Sequence, residues 1–301
     1  MPYQHPDSRR ELQGIVFTVG ACALFGIIPF YLQLLAPLSG NLLFAHRILA
    51  QLLFAVLIIG FTGNFRRLLA VFSSPSKLKG VLLSTFLISF QWWVFFWAPV
   101  NGHTVDVAIG YFILPLTVSL MGRLFFAETM RPIQWFALGL ALSGVVIELF
   151  ISGRFSWITL LVCVGYPPYF WVRRKFPLDT RINFTAENIL LTPLALVVLM
   201  IAIQNGETWL PARDHGLFYL AGAGLLGTVP MLLFVAASAR LPFTVFGMLS
   251  YLEPILLILV AVFILNEPVA IEKVASYSFF ALAVICTLYD SAQRLRTNTV
   301  V

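Results

Sequence analysis

The sequence predicts an all-α membrane protein of ten transmembrane helices, arranged as two inverted five-helix repeats. Three observations predict it. Apolar residues fill 60% of the 301 positions and charged ones only 11%, with a mean hydropathy of +0.92; a soluble chain carries roughly twice that charge. Apolar runs of about 20 residues, the length that spans a bilayer, recur along the whole chain. The two halves also overlay at a fixed offset of 139 residues without a gap. Gly26 and Pro29 fall on Gly165 and Pro168, Phe95 and Ala98 on Phe234 and Ala237, Pro115 and Glu128 on Pro254 and Glu267. Duplicated helix sets with matched kink residues are a common build of secondary transporters.

The spans are predicted near 13–35, 41–62, 80–100, 104–126, 131–151, 156–173, 183–204, 214–238, 242–266 and 270–290. They form one transmembrane domain over 1–292, with repeat one at 13–151, repeat two at 152–292 and a cytoplasmic tail at 293–301. A sequence pI near 9.4 would suggest nucleic acid in a soluble chain, but here the cations follow the membrane. With the N-terminus in the cytoplasm, fourteen of the nineteen Lys and Arg fall in cytoplasmic segments and three in external loops. That positive-inside bias places both termini in the cytoplasm, in a multi-pass protein of the plasma membrane. Five spans per half is an odd number, so the halves must be inverted. The loop charges agree: loop 2–3 is basic and its repeat mate 7–8 nearly neutral, while loop 1–2 is uncharged and its mate 6–7 carries four cations.

Taken in order, residues 1–11 are polar, basic and expected to be mobile. Span one carries Gly26 and Pro29. Span two takes His46-Arg47 about six residues inward, roughly 9 Å into a core of about 30 Å. The loop 63–79 contains Arg66-Arg67-Leu68-Leu69-Ala70-Val71-Phe72, a short amphipathic stretch suited to a lipid surface. Span three centres on Gln91-Trp92-Trp93, with Trp97 a turn later. Tryptophan usually belongs to the interfacial belts, so a mid-depth pair beside an amide fits a lined cavity with cation–π capacity, or else packing aromatics. Span four begins near His103 and Asp106, a surface polar cap in preference to an extracellular gate, and holds Tyr111, Pro115 and Arg123.

Glu128 precedes span five, and Glu267 precedes span ten; both suit the positive dipole end of the helix that follows. Glu148, near the outer end of span five, receives no role. Span six supplies Tyr166, Pro168 and Tyr169. Span seven takes Glu187-Asn188 as deep as span two takes Arg47, but from the opposite leaflet. Arg47 and Glu187 therefore close opposite gates, hold the two ends of a zwitterion, or snorkel to their own interfaces. Span nine carries Tyr251 and Glu253-Pro254 near its middle. An ionised carboxylate there costs about 2.5–3.5 kcal/mol on insertion scales, and the repeat mate of Glu253 is Leu114, so the acid exists in one half only. It couples protons, binds a cationic group, or hydrogen-bonds backbone freed by Pro254. Pro29, Pro115, Pro168 and Pro254 are the matched kink residues: each removes a backbone hydrogen bond, either to line a cavity or to curve a helix for packing.

What is missing also bounds function. Cys22, Cys163 and Cys286 lie inside spans and read as buried free thiols; four histidines form no metal-ligand spacing. No metal, cofactor or nucleic-acid partner is expected. No Walker-type glycine loop supports ATP hydrolysis, and no interfacial acid/base constellation supports a lipid-modifying enzyme. The expected partners are a small-molecule solute and the surrounding lipid, and the function that follows is secondary transport by alternating access, with a passive facilitator as the alternative.

The run Gln91-Trp92-Trp93-Val94-Phe95-Phe96-Trp97-Ala98, then Asn101-Gly102-His103, Asp106 and Gly110-Tyr111-Phe112-Ile113, resembles the RarD permeases of the EamA family, in the drug/metabolite transporter superfamily. So do His46-Arg47-Ile48, Val172-Arg173-Arg174-Lys175, Glu187, and Thr228-Val229-Pro230 through Ala239-Arg240-Leu241. The likeness covers nearly the whole chain; Glu253-Pro254 is shared more widely among EamA proteins. The RarD pattern carries Asn where this chain has Gln91 and Leu114, a departure that touches the solute more than the subfamily. The resemblance implies the ten-helix inverted-repeat fold and a bacterial inner-membrane permease, an exporter by analogy, associated with chloramphenicol sensitivity. With it, the candidate solute and coupling residues are His46, Arg47, Gln91, Trp92, Trp93, Tyr111, Glu187, Tyr251 and Glu253.

Overall fold

The structure, a computed structural model, describes residues 8–35, 38–153, 155–208, 210, 215–263 and 272–298. Among them every regular element is helical. In order they are α1 (Ser8–Leu32, closed by a 3-10 turn at Gln33–Leu35), α2 (Gly40–Phe61), α3 (Phe65–Phe72), α4 (Pro75–Val100), α5 (Thr104–Phe125) and α6 (Pro132–Ser152). The second half gives α7 (Trp157–Lys175), α8 (Thr180–Gln204), α9 (Gly216–Ser238), α10 (Phe243–Ser250), α11 (Leu252–Phe263) and α12 (Lys273–Asn298). Eight of these, α1, α2, α4, α5, α6, α8, α9 and α12, are long and apolar enough to cross a membrane.

Three boundaries differ from the sequence expectation. α1 starts at Ser8, inside the stretch expected to be mobile, and Glu11 is only 2% exposed. α7 is a helix of 19 residues whose last turn is Arg173-Arg174-Lys175, so its apolar run is short. The ninth apolar run is not one helix: it breaks at Tyr251 into α10 and α11. Two helix starts fall at the expected 139-residue shift or one residue from it. Adding 139 to Thr104 of α5 gives Phe243, the first residue of α10, and the same shift carries Gly40 of α2 to Asp179, one residue before α8.

The chain divides into two compact units, each drawn from both halves of the sequence. One comprises Met1–Ile27, Val105–Pro167 and Leu233–Val301. Its backbone is the antiparallel pair α6 and α12. Small residues Ala137, Ala141 and Gly144 let the two helices approach, and a Cβ on Gly144 would stand 2.7 Å from the Phe280 ring. Both ends of the pair are clamped. Asp290 accepts from Arg131 (2.9 Å) and Gln134 (3.0 Å) at one end; Glu148 accepts from Lys273 (2.9 Å) and Ser276 (2.9 Å) at the other. Phe112 and Tyr251, repeat mates by the 139 shift, both stack on Phe280, at 4.8 and 5.0 Å between centroids.

Glu128 is buried and accepts from the backbone N–H of Phe243 (2.8 Å) and Thr244 (2.9 Å), the open N-terminus of α10. The sequence assigns it to the helix that follows it, α6; that helix is instead capped by Arg131 and Gln134, with Pro132 at its first position. Glu128 reaches across because Gly122 leaves room for its carboxylate. Glu267 lies outside the described residues.

The other unit comprises Ile28–Thr104 and Pro168–Leu232. α2 and α8 pack along their lengths, α4 packs on both, and α3 sits on α4 and α8. Ile59, Leu68, Val71, Val81, Ile182 and Ala186 form the core under α3. α9 closes on α2 through glycine: side chains at Gly224 or Gly227 would overlap Ala50 or Gln51.

Candidate functional site

In the second unit, α2 presents Arg47 and Gln51 one turn apart on one face. Arg47 is 9% exposed. Its guanidinium carbon lies 4.8 Å from the Trp92 ring centroid and 5.3 Å from that of Phe96, within cation–π range. Trp92, 1% exposed, meets Phe184 of α8 edge-on at 6.2 Å. One turn beyond Phe184 stands Asn188, whose amide donates to the Phe184 carbonyl at 2.9 Å. Gln91 on α4 is also buried.

Four polar atoms in this interior have no hydrogen-bond partner: Gln51 Nε2 and Oε1, Trp92 Nε1 and Asn188 Oδ1. Gln51 and Asn188 are wholly buried. Each such atom costs about 1–3 kcal/mol of desolvation, and nearly all buried polar groups in native proteins are satisfied. An indole donor, a complete amide and an amide oxygen beside a guanidinium have the chemistry to hydrogen-bond a polar guest.

Glu187 belongs to a second network, centred on Arg173. It is fully buried and accepts from Ser84 Oγ (2.6 Å), Asn183 Nδ2 (2.8 Å) and Arg173 Nη1 (3.1 and 3.2 Å), with the Tyr169 hydroxyl at 3.4 Å. Arg173 also donates to Tyr169 at 2.9 Å. The ion-pair partner of Glu187 is thus Arg173. Trp93 turns away from Trp92: its indole N–H donates to Asn41 Oδ1 (3.1 Å), and it stacks on Trp97, which stacks on His103. His46 is half-buried on α2.

The remaining candidates lie in the first unit. Tyr111 faces Tyr166 at 6.5 Å between centroids. Tyr251 is wholly buried at the helix break, and its hydroxyl has no partner. Glu253 lies in the first turn of α11, half-buried. Pro254 has no N–H to return to the Ser250 carbonyl, where α10 ends. Pro115, its mate, sits inside an unbroken α5; Pro168 lies within α7, and Pro29 within α1, its side chain outside the described residues.

Sequence reasoning missed Gln51, the centre of the unpaired set. Its signal was available: a lone amide four residues after Arg47 shares its face. It also missed Arg173 as the partner of Glu187 and Lys273 as the partner of Glu148. The Tyr169–Arg173 and Asn183–Glu187 spacings of four were legible, but nothing local joins the two pairs.

Residues 157–289 match the EamA-like transporter family. The chloramphenicol-sensitive protein RarD of Pseudomonas aeruginosa is 36% identical over 288 residues, covering 94% of this chain and 96% of that protein. Protein RarD of Escherichia coli is 28% identical over 97% of this chain and 99% of its own length. The uncharacterized transporter YojE of Bacillus subtilis is 28% identical over 98% and 99%. A solved crystal structure superposes with a TM-score of 0.69 at 14% identity, covering 93% of this chain and 98% of the other, a likeness of fold alone.

Proposed function

From the premise that this chain belongs to the RarD permeases of the EamA-like transporter family, we propose that it is a secondary-active exporter of a small organic metabolite or drug-like solute. It works by alternating access, coupled to protons, as ten spans in two inverted five-helix repeats with both termini cytoplasmic in a bacterial inner membrane. That it is a membrane transporter follows from the family. The solute contacts are Arg47, Gln51, Gln91, Trp92 and Asn188, with His46 on the same helix as Arg47. Glu253 and Tyr251, at the interruption of the ninth span, carry the coupling.

One observation supports the solute site above the rest: the unpaired Gln51, Trp92 and Asn188 atoms gathered beside a buried arginine. A scaffold protein gains nothing from leaving such groups unpaired in its interior. The one-sided carboxylate at a broken helix supports coupling, since discontinuous spans supply ion sites in many secondary transporters. The chloramphenicol in the Pseudomonas relative's name fits a drug-like solute.

The test is untargeted metabolite profiling of cells and medium with and without the protein. A solute whose distribution shifts with the wild type, and not with Arg47→Gln or Glu253→Gln, identifies the substrate class. Uptake into proteoliposomes with and without a pH gradient separates coupled transport from passive facilitation. Identical rates in both conditions, unchanged in Glu253→Gln, would remove coupling.

A further inference from the structure

α3 connects two helices long enough to span the bilayer, so it lies at a membrane surface. Its residues divide by face: Leu68 and Val71 are buried at 3% and 1%, while Phe65 and Leu69 are 46% and 64% exposed. Beside it is a surface cavity of about 370 Å³, walled by Arg67 and Val71 of α3, Lys77 of α4, and Pro177, Leu178 and Asp179 at the head of α8. The wall carries two cations and one carboxylate. That carboxylate is already engaged: Asp179 accepts from Arg181 Nε (3.2 Å) and Nη2 (3.1 Å) and caps α8 through the Arg181 N–H (3.0 Å). The rest of the wall is aliphatic.

We propose that this cavity binds the phosphate headgroup of an anionic phospholipid. Arg67 and Lys77 take the phosphodiester, Arg67 through its planar fork and Lys77 as a point charge. Val71, Pro177 and Leu178 lie along the glycerol and the first methylenes. The exposed Phe65 and Leu69 anchor α3 in the same leaflet, as amphipathic interfacial helices do. Basic cavities of this kind between membrane helices recognise anionic headgroups, and each cation near the surface is worth about fivefold in binding. A zwitterionic lipid offers the same phosphate with a compensating cation of its own, which two protein cations repel. The site does not depend on the transport reading.

The full chain, purified in detergent, is titrated with phosphatidylglycerol, phosphatidylcholine and inorganic phosphate, and retention is read by native mass spectrometry. Phosphatidylglycerol is expected to bind preferentially, and R67Q/K77Q to weaken it about 25-fold. R67K/K77R retains most of the binding. K79Q, on the same helix but outside the wall, changes it less than twofold. Unfolding temperatures in detergent confirm that all variants are folded. Equal binding of the two lipids, an equal loss in K79Q, or no loss in R67Q/K77Q would overturn the site. Displacement of the lipid by millimolar inorganic phosphate would overturn the lipid and leave a soluble phosphate as its ligand.

Discussion

Gln51 separates packing from recognition at the level of one residue. If its buried amide existed for stability, it would be bonded; both amide atoms are without partners. Gln51→Met keeps the volume and removes the unpaired group, so stability should hold or rise by about 1–2 kcal/mol, while the apparent KM for the solute rises about tenfold. Thermal unfolding in detergent and proteoliposome transport check the two halves of that statement. Arg173 and Glu187 behave in the opposite way. Removing one partner of a buried pair leaves an uncompensated charge, so Arg173→Ala should cost about 3–5 kcal/mol, and the double replacement R173M/E187M should recover much of it. Equal losses in the single and the double variant would show that the ion pair is not the source. The Arg173–Glu187 pairing is not legible locally. The sequence marks Glu187 as deep and charged, but it cannot say whether Arg47 or Arg173 reaches it; that depends on how α7 and α8 are laid side by side.

Among the elements, the ninth span differs most from its sequence pattern. An unbroken apolar run over 242–266 hides a stop, and Pro254 alone does not explain it, since Pro115 in the equivalent place leaves α5 continuous. The difference lies in what surrounds the proline. α5 carries Leu114 before its proline, whereas α11 carries Glu253 in its first turn, where a carboxylate suits the positive dipole end of a helix start. Glu128 further fixes α10 from its N-terminus with two charge-assisted bonds. Restoring the N–H with Pro254→Ala should let α10 and α11 join and stabilise the fold by about 1–3 kcal/mol. It should also slow transport severalfold, while Pro115→Ala leaves the rate within twofold. Hydrogen exchange at residues 250–254 reports the joining, and initial transport rates report the cost; exchange that stays fast in Pro254→Ala would place the break elsewhere.

At the scale of the whole molecule, the succession of long apolar helices was the most legible feature. The 139-residue offset relates the starts of α5 and α10 and, within one residue, those of α2 and α8, whereas Ser8 of α1 shifts to position 147, ahead of α7 at Trp157. What the offset could not reveal is how the copies share their packing. α2 pairs with α8 and α6 with α12, so each compact unit takes elements from both halves of the sequence. Neither half then contains a complete core. Residues 1–152 expressed alone, or 153–301 alone, should give no protease-resistant body in membranes, whereas the two fragments expressed together should restore one. A stable, resistant half would contradict the shared packing.

The clamped pair of α6 and α12 has a consequence for biogenesis. Five helices, α7 to α11, are synthesised between α6 and its partner α12. Throughout that interval the acid at position 148 and the amide at 134 stand in the nascent chain without the lysine and aspartate that will neutralise and bind them. Both wait for α12 to be made before they are paired. Final closure of this unit is therefore a post-insertion event, and variants at Lys273 or Asp290 should be lost to membrane proteases before any defect in solute handling can be measured.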